Sequence, residues 1–110
     1  MNFERQYGFK ETRKNDSITA GTAEEVLTCP AGHRIVIRRI RGTTPYDVTL
    51  KQGTTAGSAT ALDIPVIQSA ENFDMPGLFI QLTPGNHLYM DIATTGTPDI
   101  NIQWASTPKV

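Results

Sequence analysis

The sequence predicts an all-β protein: a small antiparallel β-sandwich, jelly-roll-like, with eight or nine strands after an N-terminal arm. Three observations support this fold class. Apolar residues recur at every second position, turn sequences separate these runs at short intervals, and no segment shows a sustained helical period. The length of 110 residues, with nine Gly and seven Pro, is typical of one domain. We therefore predict an arm over residues 1–15 and a sandwich over residues 16–110.

The strands are predicted from alternating runs that end at turn sequences such as Cys29–Gly32 and Thr83–Asn86. In chain order they are 16–20, 24–28, 33–41, 47–52, 62–69, 71–75, 78–82, 87–93 and 99–105. The positions with the cleanest period of two are predicted to form one core between two sheets. They are Ile35, Ile37, Val48, Leu50, Leu88, Met90, Ile92, Ile100, Ile102 and Trp104.

One predicted strand breaks its own alternation. Ile35 and Ile37 share one face, but the next apolar residue, Ile40, falls on the opposite face. An extra residue in the strand restores the register, so we expect a β-bulge or a change of sheet near Arg38–Arg39.

The predicted arm differs from the rest of the chain because it interleaves aromatic residues with charged and amide side chains. Its conformation between Phe3 and Lys14 is left open as helical or extended. Three aromatic side chains in water at a chain end are unfavourable, so we expect them to dock on the flank of this domain or on a neighbouring subunit. The residues predicted to form this protein interface are Phe3, Arg5, Tyr7, Phe9, Arg13 and Lys14.

Arginines are concentrated in one predicted strand, which contains Arg34, Arg38, Arg39 and Arg41. Nucleic-acid binding usually combines a basic domain with aromatic side chains near the charge. The isoelectric point here is about 6.1, and residues 30–45 contain no Phe, Tyr or Trp. We therefore predict no nucleic-acid partner and expect these arginines to pair with carboxylates, within the chain or across an interface.

Residues that could support catalysis are few. His33 and His87 each lie where a turn meets a strand, without the spacing of a metal site, so we expect them to form turn hydrogen bonds. The lone Cys29 cannot form an internal disulfide and is predicted to be a small buried residue. A calcium site at Asp91 and Asp99 would lack ligands. We predict no catalytic, cofactor or metal site and no enzyme, with a cupin-like metalloenzyme as a weak alternative.

The chain also lacks the features of a secreted or membrane protein. No stretch approaches the roughly 20 apolar residues that cross a bilayer, and residues 1–15 are polar. We expect synthesis in a cytoplasm-like compartment and no membrane partner.

The order of short motifs carries a resemblance. An apolar strand, a Pro-Ala-Gly turn and an Arg-Ile-Val-Ile strand occupy Val26–Ile37, and a Val-Thr-Leu-Lys-Gln-Gly segment follows at Val48–Gly53. A Leu-Thr-Pro-Gly entry to a strand begins at Leu82, and Ile100–Trp104 closes the domain. This succession resembles small β-sandwich virion proteins of tailed bacteriophages, most like head decoration (cement) proteins.

The resemblance implies a role without a catalytic site. Such proteins are compact sandwiches, often trimeric, that bind the outer capsid surface and fasten neighbouring subunits of the major capsid protein. It therefore implies a homo-oligomer, with a trimer favoured, made in the host cytoplasm and located on the virion. The alternative is a carbohydrate- or receptor-binding module of a phage fibre or tail. That function would need exposed aromatic side chains on one end or face, drawn from Tyr46, Phe73, Phe79, Tyr89 and Trp104.

Overall fold

The computed structural model describes residues 9–64 and 66–108, and this part of the chain contains nine strands and a single turn of 3₁₀ helix at Ala56–Ser58. The strands are β1 (Lys10–Lys14), β2 (Glu24–Leu27), β3 (His33–Thr44), β4 (Val48–Gly53), β5 (Thr60–Ala61), β6 (Ala70–Met75), β7 (Ile80–Gln81), β8 (His87–Ile92) and β9 (Asp99–Pro108).

The strands form two antiparallel sheets that pack face to face. One sheet has the order β1-β9-β3-β6, with the short β7 paired to β3 as its fifth strand. The other has the order β2-β8-β4-β5. Strands that are distant in sequence, such as β1 and β9, are therefore neighbours. The predicted all-β sandwich is confirmed.

The core lies between the two sheets and contains all ten side chains that the alternation predicted, each at most 8% exposed. Because successive side chains of a strand point to opposite faces, a period of two fills one layer from both sheets. The core also includes Ile18, Leu27, Cys29, Ile40, Leu62, Ile67 and Leu82. The expected burial of Cys29 is therefore confirmed.

A β-bulge in β3 sets which of its side chains face the core. The pairing of β3 with β9 shifts between Ile37 and Arg39, so that Ile37 and Ile40 are both fully buried although they lie three residues apart. The predicted bulge is confirmed. Beyond it, Arg39 and Arg41 lie on the face of the sheet opposite to the core.

Two predicted strands are wrong. In place of a strand over 16–20, Ile18 forms one isolated bridge to Gly96, and its N–H donates to the Gly96 oxygen at 2.9 Å. In place of a strand over 62–69, Ile67 forms one bridge to Val48. Each segment contributes a buried anchor rather than a ladder, and Pro65 in the second run has no N–H for strand pairing.

The predicted arm overlaps the five-stranded sheet. Residues 10–14 are the edge strand β1, which pairs with β9 from Lys10 opposite Trp104 to Lys14 opposite Ile100. Of the two conformations that the sequence left open, this segment is extended. Residues 1–8 lie outside the described residues.

Polar side chains hold β1 against the core. The Lys10 Nζ atom lies 5.2 Å from the Trp104 ring centroid, and the Trp104 Nε1–H donates to the Thr12 hydroxyl at 2.9 Å. Lys14 is only 8% exposed and pairs with Asp16, at 2.7 Å, and with Glu24 of β2. The pair with Glu24 joins the two sheets at one edge of the sandwich.

Candidate functional site

The outer surface of the five-stranded sheet carries a pattern of alternating charges. On β9, Ile100 and Ile102 enter the core, so Asp99 and Asn101 point outward. The registers of β1, β3 and β6 bring further charged side chains beside them. We call this surface the charged face and define it by Glu11, Arg13, Arg39, Arg41, Asp74 and Asp99.

Three exposed ion pairs connect the strands of the charged face. Arg13 donates from Nε and Nη2 to both carboxylate oxygens of Asp99, at 2.8 and 3.0 Å. Arg39 likewise donates from Nε and Nη2 to the two carboxylate oxygens of Asp74, at 2.9 and 2.6 Å. The Arg41 Nη2 donates to Glu11 at 3.1 Å. The predicted pairing of arginines with carboxylates is therefore confirmed for Arg39 and Arg41.

The two-bond pairs shift the ionisation of their members. Hydrogen bonds from Arg39, with the charges of Arg39 and Arg41, hold the pKa of Asp74 below its ordinary value of 3.8. Hydrogen bonds from Arg13 lower the pKa of Asp99 in the same way. In return, the pKa values of Arg13 and Arg39 are raised. Both two-bond pairs therefore keep their opposite charges across the neutral pH range.

A shallow groove lies at the β6 side of the charged face. It is lined by Arg41, Gly42, Asn72, Phe73, Asp74 and Asn101. At Gly42 the strands β3 and β9 approach closely, because a Cβ atom there would come within 2.0 Å of the Asp99 carbonyl oxygen and 2.9 Å of the Ile100 Cα. Gly42 also has a φ of +145°, which side-chain-bearing residues rarely adopt. The predicted strand ended at residue 41, before this glycine, whereas β3 continues through Gly42 to Thr44.

The residues predicted for a protein interface have different positions. Phe3, Arg5 and Tyr7 lie outside the described residues. The Phe9 ring centroid lies 5.3 Å from the Arg38 Cζ atom. Arg13 belongs to the charged face, whereas Lys14 is buried between its two carboxylate partners. The structure thus brings Arg13 together with arginines of β3 that the sequence could not link to it.

Both histidines form the expected turn hydrogen bonds. The His33 Nδ1 atom lies 2.9 Å from the Ala31 carbonyl oxygen, and the His87 Nδ1 accepts from the Cys29 N–H at 2.8 Å. Across residues 9–64 and 66–108, no three side chains of His, Cys, Asp or Glu are grouped closely enough to hold a metal ion. In the same residues, no helix has the length and hydropathy to span a membrane.

The aromatic side chains lie on different elements. Tyr46, 41% exposed, is in the turn between β3 and β4, and Phe79, 63% exposed, lies before β7. Tyr89 and Trp104 are buried. Phe73 is half-buried and packs against the core. The two exposed aromatic side chains, Tyr46 and Phe79, therefore lie on different connecting segments.

Comparisons of this chain with protein-family models, curated proteins and solved structures find no match.

Proposed function

We propose that this chain is a structural virion protein, a capsid decoration protein that binds the outer surface of the major capsid protein and stabilises neighbouring capsid subunits. The observation that carries the proposal is the charged face, with its three cross-strand ion pairs exposed to solvent. The order of strand and turn motifs, which resembles decoration proteins, supports the choice of partner.

The physical argument concerns what exposed ion pairs can do. Pairs between exposed side chains contribute little to folding stability, because water and salt screen them. At an interface, fixed charges of alternating sign select a complementary surface and set the register of binding. Three arginines and three carboxylates leave the charged face without net charge, which suits a protein surface of mixed charge better than a polyphosphate.

The predicted anchors lie close to this face in the chain. Phe3, Arg5 and Tyr7 precede β1, which is the edge strand of the same sheet. Aromatic anchors beside a polar rim are the usual composition of a specific protein interface. Assembly as a homo-oligomer, with a trimer favoured, would place several such surfaces on one capsid site and multiply a modest affinity.

The test is the occupancy of variant protein on capsids purified without it. Reversing two charges with Arg39→Glu and Arg41→Glu should lower affinity by roughly tenfold or more, because like charges would then face each other at the interface. Lys51→Glu, on the outer surface of the other sheet, is the control and should bind like wild type. Equal occupancy of all three proteins would remove the charged face from capsid binding.

The alternative, a carbohydrate- or receptor-binding module of a fibre or tail, is less favoured because the exposed aromatics Tyr46 and Phe79 lie on separate elements. Labelling of purified virions separates the two proposals. Signal over the head supports a decoration protein, and signal confined to the tail or fibres contradicts it.

A further inference from the structure

We propose that His87 is a pH-sensitive switch that holds the connection between β2 and β3 against the start of β8. The connection carries the chain from the four-stranded sheet to the five-stranded sheet, and its Cys29 side chain belongs to the core. Protonation of His87 replaces its hydrogen bond to this connection with an ion pair to Glu25. The proposal concerns one end of the sandwich and does not depend on capsid binding.

The hydrogen bond at His87 fixes the protonation state of one ring nitrogen. The Cys29 N–H can only donate, and its nitrogen lies 2.8 Å from the His87 Nδ1 atom. Nδ1 must therefore be the unprotonated nitrogen of a neutral ring, with the proton on Nε2. A second proton, on Nδ1, would point at the Cys29 N–H and abolish the bond. Because histidine changes its charge between about pH 5 and pH 8, mild acid should have this effect.

His33, at the start of β3, has the opposite arrangement. Its Nδ1 atom lies 2.9 Å from the Ala31 carbonyl oxygen, which can only accept, so here Nδ1 must carry the proton. A second proton on His33 would be added at Nε2 and would leave the bond to Ala31 intact. Acid therefore removes the backbone partner of His87 and not that of His33, which provides an internal control.

Glu25 of β2 is placed to receive the protonated nitrogen. Its Oε1 atom lies 3.9 Å from the His87 Nδ1, which is about 1 Å longer than a charge-assisted hydrogen bond. The Thr28 hydroxyl donates to the other carboxylate oxygen at 2.9 Å and so holds the carboxylate beside the ring. The His87 side chain is 23% exposed and that of Glu25 is 42% exposed, so a small movement can bring them together.

The other ionisable groups near His87 do not offset this attraction. Tyr89, two residues along β8, has its ring centroid 6.4 Å from that of His87, and burial raises its pKa, so it stays neutral. On β4 the register partner of His87 is Gly53. Lys51 lies opposite Tyr89 and forms an ion pair within the sheet. The turn before β8, residues 83–86, contains no ionisable side chain.

Release of the Cys29 N–H would loosen the connection at a buried residue. The Cys29 side chain is 7% exposed, and its thiol donates to the His33 carbonyl oxygen at 3.2 Å. An unsatisfied N–H at a buried position is unfavourable, so the backbone should move towards water. The residues between β2 and β3 would then open, and the Cys29 thiol would become accessible.

The test measures the rate at which dithiodipyridine, which reacts with thiols in acid as well as at neutral pH, modifies Cys29. The rate is divided by that of glutathione, to correct for thiol ionisation, at about pH 8 and at about pH 5. We expect this ratio to rise roughly tenfold in acid, the effect of losing one hydrogen bond of a buried group. An unchanged ratio would overturn the proposal.

Variants identify the group responsible. His87→Asn keeps an acceptor near the position of Nδ1 but does not titrate, so its ratio should stay constant with pH. His33→Asn is the matched control and should show the wild-type increase. Glu25→Gln removes the carboxylate that receives protonated Nδ1 and should move the increase to lower pH. An increase in His87→Asn equal to that of wild type would show that another group controls the connection.

NMR of the wild-type protein tests the switch without substitutions. Proton–nitrogen spectra of the imidazole rings should show Nε2–H at His87 and Nδ1–H at His33 near neutral pH. In acid, His87 should gain Nδ1–H while the Cys29 amide signal loses the shift typical of a hydrogen bond. Protonation of His87 with an unchanged Cys29 amide, or a neutral His87 at about pH 5, would contradict the proposal.

The same spectra separate a local change from acid unfolding. Retained dispersion of the other amide signals shows that the sandwich is intact while the connection opens. Loss of dispersion throughout the chain in acid would show that the fold, and not His87, responds to pH. No capsid is used, so the outcome is independent of the proposed function.

Discussion

The polar side chains are arranged differently on the outer surfaces of the two sheets. On the four-stranded sheet, Tyr89 lies in register with both Glu25 and Lys51 and is only 5% exposed. Lys51 extends to within 3.4 Å of Asp91. Burial, with a smaller effect of the Glu25 charge, raises the pKa of Tyr89. These side chains surround the Tyr89 ring, so the outer surface of this sheet buries an aromatic group of its own.

The charged face has no such ring at its centre. Its arginines and carboxylates pair in solvent, and Asn72 and Asn101 lie beside them. The same alternation of strands therefore produces one surface with a buried aromatic ring at its centre and one surface of exposed ion pairs. The two outer surfaces differ because a large side chain, Tyr89, lies in the middle of the outward-facing residues of one sheet and not of the other.

The largest effect should come from removing β1, the edge strand of the five-stranded sheet that carries Glu11 and Arg13 of the charged face. Deleting residues 1–14 removes β1, uncovers Trp104 and leaves Glu24 without Lys14, so we expect a loss of about 3 kcal/mol or more in the free energy of unfolding. Deleting residues 1–8 keeps β1 and is the matched control. Thermal and denaturant unfolding measure both, and equal stabilities would show that β1 contributes nothing to the sheet.

A methyl group at Gly42 should break the backbone contact beneath the charged face. In Gly42→Ala the Cβ atom meets the backbone of Asp99 and Ile100, so β3 and β9 must separate at an estimated cost of about 2–4 kcal/mol. Gly57→Ala is the control, because nothing lies within 4 Å of its Cβ position. Similar unfolding midpoints for the two variants would contradict the close approach.

The ion pair between the sheets should have a smaller effect. Burial alone would lower the pKa of Lys14, but hydrogen bonds to Asp16 and Glu24 outweigh it and raise the pKa above 10.5. Lys14→Met should cost about 1–2 kcal/mol, since the two carboxylates lose their partner but stay solvated.

The raised pKa of Lys14 also predicts how the stability difference between wild type and Lys14→Met changes with pH. A raised pKa stabilises the folded state below the unfolded value, and this contribution disappears as the pH rises through the folded value. Wild type should therefore lose part of its advantage over Lys14→Met in alkaline solution. A difference between wild type and Lys14→Met that stays constant as the pH rises would exclude the ion pair as the cause.

The smallest effect should be a change in the pKa of one carboxyl group, that of Asp74. Arg39→Gln removes the main cause of the low pKa of Asp74, so that pKa should rise towards 3.8 while the pKa of Asp99, paired with Arg13, stays low. A carboxyl group whose pKa is lower in the folded state stabilises the fold at pH values above its unfolded-state pKa. This stabilisation is lost as the pH falls through the folded-state pKa. Carbon-detected NMR titration of the two carboxyl groups measures this directly. Parallel shifts of both would show that the pairs are not independent.

The sequence predicted the parts of the fold that depend on apolar alternation. The core positions of β4, β8 and β9 and the bulge in β3 all followed from it. Strand β1 was missed because its inward positions are Lys10, Thr12 and Lys14, which reach the core through a ring contact and hydrogen bonds. A hydrophobic period cannot reveal such a strand.

The charged face could not be assembled from the sequence. Arg13 and Asp99 are 86 positions apart, and only the pairing of β1 with β9 brings them together. The preference of arginine for carboxylates was predictable from residue chemistry. The choice of partner required the strand register, which short motifs do not specify.

The bulge in β3 changes which alternate positions of the strand face the core. Before it, odd-numbered positions such as Ile35 and Ile37 face the core; after it, the even-numbered Ile40 does, and odd-numbered arginines face outward. Without the bulge, strict alternation along the same sequence would place Arg39 and Arg41 in the interior and Ile40 outside. Deleting Arg38 alone would instead give a regular strand in which Ile37 and Ile40 both still face the core. Away from the bulge, a single insertion or deletion in this strand would exchange its two faces, whereas at Arg38 the loss of one residue would keep Ile40 inward and Arg39 and Arg41 outward.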